Sequence, residues 1–194
     1  AKSPLNESLR TMKFAQSSDT AKLIARSLLL ASRDRRMRVL VPDGVAEVSH
    51  RLITGGGQKN WIASALKYSG VRACLLGMER CLLPGIITHY LVRKLSIERL
   101  VRQKIADGCK RLVVLGAGYD SLTWRLHEIF PEVEFVELDH PATQTLKKRV
   151  LSGASNICFR AIDLCVQEPS SVIDSASGAT AFIAEGLTMY LSAE

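Results

Sequence analysis

Carboxylates recur at particular places in this sequence. Asp120 follows the turn Gly116-Ala117-Gly118, Glu137 and Asp139 come about 20 residues after the glycines, and Asp163 and Glu185 end two further apolar runs. An acid about that far beyond a glycine turn is placed to accept hydrogen bonds from the hydroxyls of a ribose, so the chemistry indicated is capture of a nucleoside-containing cofactor. A dinucleotide fingerprint of the GxGxxG type needs a third glycine at position 121, where the sequence has Ser121. Asp120 in the mouth of the turn would repel a pyrophosphate but suits the sulfonium and ammonium of S-adenosylmethionine. The turn therefore favours the methyl donor over a dinucleotide. No His-Asp or Cys-His pairing that would mark nucleophilic catalysis stands near these acids.

Strands and helices must hold these residues in place. Leu112 to Leu115 is a continuous apolar run, as in a central parallel strand covered on both faces. Leu122, Leu126 and Ile129 predict a helix closed by Pro131, and Val133 to Leu138 a second strand that delivers Glu137 and Asp139. His140-Pro141 opens a helix through Leu151, with Lys147, Lys148 and Arg149 near its C-terminal end, where cations suit the dipole. Ile157 to Ile162 is a third strand running into Asp163, which either accepts from an adenine amino group or caps the next segment. Thr180 to Ala184 is a fourth, delivering Glu185 to the same edge.

Ahead of the first strand, the residues from Pro84 to Gly108 predict one long helix or two abutting ones. Arg93 and Lys94 lie on it, beside the turn, where one cation can pair with a ligand carboxylate. Earlier still, the first sixteen residues read as a loose arm. A helix starts at Ser18-Asp19 and ends in the basic run Arg33 to Arg38. A short helix covers Val45 to Ile53, Gly55 to Gly57 form a hinge, Asn60 to Ser69 another helix, and Gly70 to Gly77 a turn or strand-like connection.

With 194 residues and 47% hydrophobic content, the chain can bury one sizeable core. It lacks an apolar run of the roughly 20 residues that a membrane span needs, and its start lacks the apolar core of a signal peptide, so the expectation is a cytoplasmic protein. The five cysteines show no metal-ligand spacing and read as reduced core residues without zinc. Residues 1 to 110 hold 20 Lys and Arg against 8 acids, and 111 to 194 hold 6 against 11. The basic front lacks the interleaved aromatics of a single-strand binder, so solvated helix faces are the better account and nucleic acid is a disfavoured partner.

In five segments the sequence resembles the leucine carboxyl methyltransferase family, whose bacterial members are class I S-adenosylmethionine-dependent O-methyltransferases. They are DTAKLIARSLLLASRD, HYLVRKLSIERLV, VVLGAGYDSLTWRL, FVELDHPATQTLKK and AEGLTMYL. The resemblance implies an α/β fold, a Rossmann-like doubly wound sheet with an N-terminal helical extension over residues 1–110 and a cofactor-binding core over 111–194, together one structural domain. It implies that Arg93 holds the methionine carboxylate and that Gly116, Ala117 and Gly118 line the turn beneath the cofactor, with Asp120 in its mouth. Asp139, or failing that Glu137, takes the ribose hydroxyls. Asp163 and Leu164 then frame the adenine, Glu185 lies beside the methionine amino group, and Tyr190 borders the methyl group or the acceptor pocket.

Tyr119 and Ser121 depart mildly from the family pattern. The family's sheet has more strands than are legible here, and the sequence starts without Met, so a piece of a longer protein lacking the final strands is expected. The expected reaction is methyl transfer from S-adenosyl-L-methionine to an oxygen, a carboxylate of a small molecule or peptide. The residues leave open an RNA-associated methyltransferase, a methyltransferase-like binding module, and an NAD-dependent oxidoreductase.

Overall fold

The computed structural model describes residues 19–55, 61–174 and 178–187. Its sheet is built around the apolar run at 112–115. Strand β1 (Arg111–Leu115) pairs in parallel with β2 (Glu134–Asp139) on one side and β4 (Thr180–Ala184) on the other, and β2 pairs in parallel with β3 (Ile157–Ala161). The order β3-β2-β1-β4 reverses at β1. Such a reversal opens a crevice beyond the carboxyl ends of the strands, the place where open α/β sheets bind ligands. Register does the rest: Leu115 stands opposite Leu138 and Ala184, so Gly116, Asp139 and Glu185 leave the sheet at one level.

Alternation along the strands divides the core. Leu112, Val114 and Phe135 pack with Val101 and Ile105 of α5 (Ile86–Ala106) and with Leu122 and Leu126 of α6 (Leu122–Leu126). On the opposite face Val113, Val136, Leu138 and Ile162 meet Leu164, Val172 and Ile173. Helix α7 (Pro141–Val150) joins β2 to β3, with Pro141 in its first turn, and packs through Val150 on Val48 and Leu52 of α2 (Val45–Ile53). A further cluster unites Leu28, Leu29 and Leu30 of α1 (residues 19–32) with Val45, Ile87 and Leu91.

Helix α5 thus belongs to two cores and ties the helical part to the sheet. Its buried Glu98 reinforces the tie, accepting from Arg102 Nη2 at 2.8 Å and from Arg125 Nη1 of α6 at 2.6 Å. Burial works to raise the Glu98 pKa, but the two guanidiniums outweigh it and hold the carboxyl below its ordinary 4.5.

The parallel α/β fold is the one expected from the sequence, and α2 and β4 have the expected bounds. The long helical stretch expected after Pro84 is the single helix α5, which begins at Ile86 after a turn at Pro84 and Gly85. Three segments differ. Helix α6 ends at Leu126, and Ile129 beyond it is exposed. Helix α3 is only Trp61–Ala65, followed by a turn. The stretch Gly70 to Gly77 is neither turn nor strand but part of α4 (Ser69–Leu82). Val71, Leu75, Leu76 and Glu79 recur at helical spacing and are half-buried, while both glycines sit on the exposed side, where an added Cβ would meet nothing within 4 Å. Gly77→Ala should therefore raise stability by about 0.5–1 kcal/mol, seen as a higher urea midpoint at unchanged slope.

The expected N-terminal arm and most of the 55–57 hinge lie outside the described residues. Among the described residues β4 has no strand on its far side, leaving Phe182 59% exposed, and no helix is long and apolar enough to cross a membrane.

Candidate functional site

Gly116 and Gly118 have φ of +65° and +48°, left-handed values that only glycine adopts at little cost. The N–H groups of Gly116 and Ala117 both donate to Leu138 O, at 2.8 and 3.2 Å, folding the turn back over the end of β2. A Cβ at position 116 would stand 2.9 Å from Leu187 Cδ1. Gly118 N–H donates to Asp139 Oδ2, and His140 N–H to Asp139 Oδ1 at 2.6 Å, so the acid that ends β2 is oriented by backbone at the lip of the glycine turn.

Opposite lies a cluster of four charges. Lys94 Nζ donates to Asp120 Oδ2 at 2.7 Å and to Glu185 Oε2 at 2.9 Å, and Arg93 Nε donates to Glu185 Oε1 at 2.9 Å. The Arg93 guanidinium stands 5.4 Å from the centre of the Tyr90 ring. Helix α5 supplies both cations, the glycine turn one acid and the end of β4 the other. Asp120 also accepts from Leu122 N–H at 3.0 Å, closing the turn into α6.

Burial pulls the Lys94 pKa down, but Asp120 and Glu185 more than compensate and hold it above its ordinary 10.5. Burial likewise pushes Asp120 up, yet Lys94, Lys147 and the Leu122 N–H bring it from 3.8 to about 2. A carboxyl depressed in the folded state stabilises the fold above its unfolded pKa, and that contribution disappears as pH falls through the folded value. Asp120 should therefore contribute fully above pH 3.8 and lose its contribution by about pH 2. Urea midpoints between pH 5 and pH 2 test this: Asp120→Asn, less stable at pH 5, should approach the parent protein at the acid end. Parallel curves would exclude Asp120 as the source.

Beneath the site lies a second, wholly buried pair. Lys147 Nζ is 2.5 Å from Glu137 Oε2 and donates to Asp120 O at 2.9 Å; the side chains are 0% and 1% exposed. Thr123 Oγ1 donates to the other Glu137 oxygen. Burial lifts the Glu137 carboxyl above its ordinary 4.5, with Lys147 and Thr123 working against that lift.

A cleft of about 220 Å³ joins these parts, lined by Arg93, Lys94, Asp120, Asp139 and Glu185, by the 116–118 turn, and by Asp163 and Leu164 on the far side. Asp163 Oδ1 accepts from Cys165 N–H at 2.9 Å; the residues after it form a turn and not a helix, so Asp163 tightens that turn instead of capping a helix, and it lines the cleft. Among the sequence candidates, Glu137 stands apart: it lines no part of the cleft and is tied up with Lys147 beneath it. Tyr190 lies outside the described residues.

Two contributions escaped sequence reasoning. Position near the C-terminal end of α7 suggests a helix-dipole cation in Lys147, although its spacing from Thr143 and Gln144 and to Val150 puts it on the buried stripe of that helix. Thr20, Ala21, Ile24 and Leu28 of α1 form a wall of the cleft; their helical spacing was legible, but not what it faced.

The profile described as Leucine carboxyl methyltransferase matches residues 30–194. A Mycobacterium bovis protein, named provisionally as an S-adenosyl-L-methionine-dependent methyltransferase, is 32% identical over 163 residues, covering 79% of this chain and 51% of its own length. A similarly named Streptomyces coelicolor protein is 34% identical over 110 residues, 52% of this chain and 38% of its own. A Bacillus subtilis protein with the same provisional name is 38% identical over 65 residues, 34% of this chain and 21% of its own. The chain thus spans at most about half the length of these curated relatives. A profile match over residues 30–194, most of the sequence, decides the matter, and the parallel sheet is consistent with it: the chain belongs to the leucine carboxyl methyltransferase family.

Proposed function

We propose that the cleft binds S-adenosyl-L-methionine and serves methyl transfer to an oxygen, a carboxylate of a small molecule or peptide. The observation that carries this reading is the pairing of Arg93 and Lys94 with Glu185 and Asp120 in the same cleft as the backbone-held Asp139. A free amino-acid group brings one carboxylate and one ammonium. Between Arg93 and Glu185 it would exchange one ion pair for two, with Arg93 on its carboxylate and Glu185 on its ammonium, so no charge is left uncompensated.

Charge balance supports the same ligand. Arg93 and Lys94 against Asp120, Asp139, Asp163 and Glu185 leave the cleft with a negative excess, the sign that suits a donor carrying ammonium and sulfonium against a single carboxylate.

When bound, S-adenosyl-L-methionine supplies an activated methyl group on a sulfonium. The chain's own residues bind and orient. Asp139 accepts from the ribose hydroxyls, Asp163 and Leu164 border the adenine, and the 116–118 backbone lets the ligand approach closely. Asp120 holds Lys94 and closes the turn into α6, while Tyr190 borders the methyl group or the acceptor. A carboxylate acceptor is ionised at neutral pH, so no general base is required; orientation and exclusion of water can then contribute about 7 kcal/mol or more.

Thermal shift with S-adenosylmethionine, S-adenosylhomocysteine and NAD in parallel tests the reading. A ligand at 100 times its dissociation constant adds about 2.7 kcal/mol to the native state. The two adenosyl ligands should shift the transition and NAD should not; a shift with NAD alone would overturn the assignment.

A further inference from the structure

We propose that the groove between the C-terminal end of α1 and the α3–α4 turn is a second ligand site, built for a compact oligoanion of the phosphate class. It is an open depression of about 610 Å³ lined by Ser32, Arg33, Arg35, Arg38, Lys67 and Arg72. Five of these six side chains are cations, and none is a carboxylate. Among the described residues, none of the five forms an ion pair. Asp34, the acid nearest in sequence, is engaged otherwise: its Oδ1 accepts from the N–H groups of Arg36 at 2.8 Å and Met37 at 3.0 Å, tightening the turn that carries Arg35 and Arg38.

Two of the cations are anchored rather than trailing in solvent. Arg33 Nη1 donates to Ala63 O at 3.0 Å, and Arg72 Nη1 donates to Leu66 O at 3.0 Å and Lys67 O at 2.8 Å. Bare carbonyls at the end of α3 would repel an anion; here guanidinium groups cover them. A guanidinium has five donors, so each anchored arginine keeps further N–H groups, pre-oriented at reduced entropic cost. Arginine forks match phosphate oxygens.

A nucleic-acid strand fits less well, because the lining has no aromatic side chain on which bases could stack. The groove also adjoins the cleft: Thr20, Ile24, Leu28 and Ser32 follow one another at four-residue spacing along α1, the first three lining the cleft and the last the groove.

The test is calorimetric titration of the chain with inorganic pyrophosphate at low salt, alongside the double variant Arg35→Ser/Arg38→Ser. Both side chains are exposed and make no hydrogen bond or ion pair among the described residues, so the variant should melt like the parent. Lys67→Ser serves as a second variant should it not. Saturable binding to the parent, weakened about tenfold or more in the variants, is expected. No saturable heat, or equal affinity in all three proteins, overturns the assignment. Tight binding of a short single-stranded RNA that excess pyrophosphate fails to displace would also overturn it, in favour of an extended nucleic-acid face. The inference stands apart from the methyl-donor reading: the thermal shift with S-adenosylhomocysteine should be the same in parent and variants.

Discussion

Lys147→Met is expected to destabilise the fold by about 3–5 kcal/mol, the largest single-residue effect foreseen here. Methionine keeps most of the apolar stem, so the loss is the ammonium, which touches Glu137 Oε2 and Asp120 O in a place water does not reach. Taking away one member of a buried pair strands the other; Glu137 would keep Thr123 as its hydrogen-bond donor and must either remain a buried anion or bind a proton. The double variant Lys147→Met/Glu137→Gln separates charge from packing. It removes the stranded carboxylate and should recover at least half of the lost stability. Urea unfolding measures both. A single variant with the parent's midpoint would mean that the pair carries little, and a double variant worse than the single would place the loss in packing.

Arg93→Ala should weaken S-adenosylmethionine and S-adenosylhomocysteine binding alike by about 1.5–3 kcal/mol, roughly 10- to 150-fold. Its effect on the fold should be smaller, because the Arg93 side chain is 30% exposed and Glu185 keeps Lys94 as a partner. Arg93→Lys restores the charge without the fork and should fall between the two. Titration calorimetry reads all three proteins. Affinity unchanged in Arg93→Ala would remove this residue from the site and leave Lys94 as the cation that matters.

What the sequence disclosed follows from how strongly each element is determined by local pattern. Strands β1, β2 and β4 were legible because a strand buried in a parallel sheet is a bounded apolar run. Their common level at Gly116, Asp139 and Glu185 followed once those runs were aligned. Helix α4 was hidden because Gly70 and Gly77 are punctuation marks in most sequences; here they occupy an exposed helix face, where tertiary packing of Val71, Leu75 and Leu76 overrides their low propensity.

Glu137 and Asp139 are the same chemistry, two acids two positions apart on one side of a strand, and only the family resemblance ranks Asp139 first. They separate only in depth: one is inside the sheet, where Lys147 neutralises it, and the other at its end, where the backbone turns and the cleft begins. No one-dimensional pattern carries depth. Lys94 beside Arg93 poses the same difficulty, since adjacent cations on a helix reveal their partners only when Asp120 and Glu185 arrive from other elements.

That late arrival bears on how the protein assembles. Strands β1, β2 and β3 follow one another in the chain and can join in sequence, whereas β4 must return across about 70 residues to reach β1, a slow closure because loop entropy is lost before any contact rewards it. Glu185 rides on that strand. Until it docks, Lys94 has only Asp120 and Arg93 lacks its carboxylate, so the pocket's ability to hold a ligand should appear in the last phase of refolding rather than with the bulk of the secondary structure.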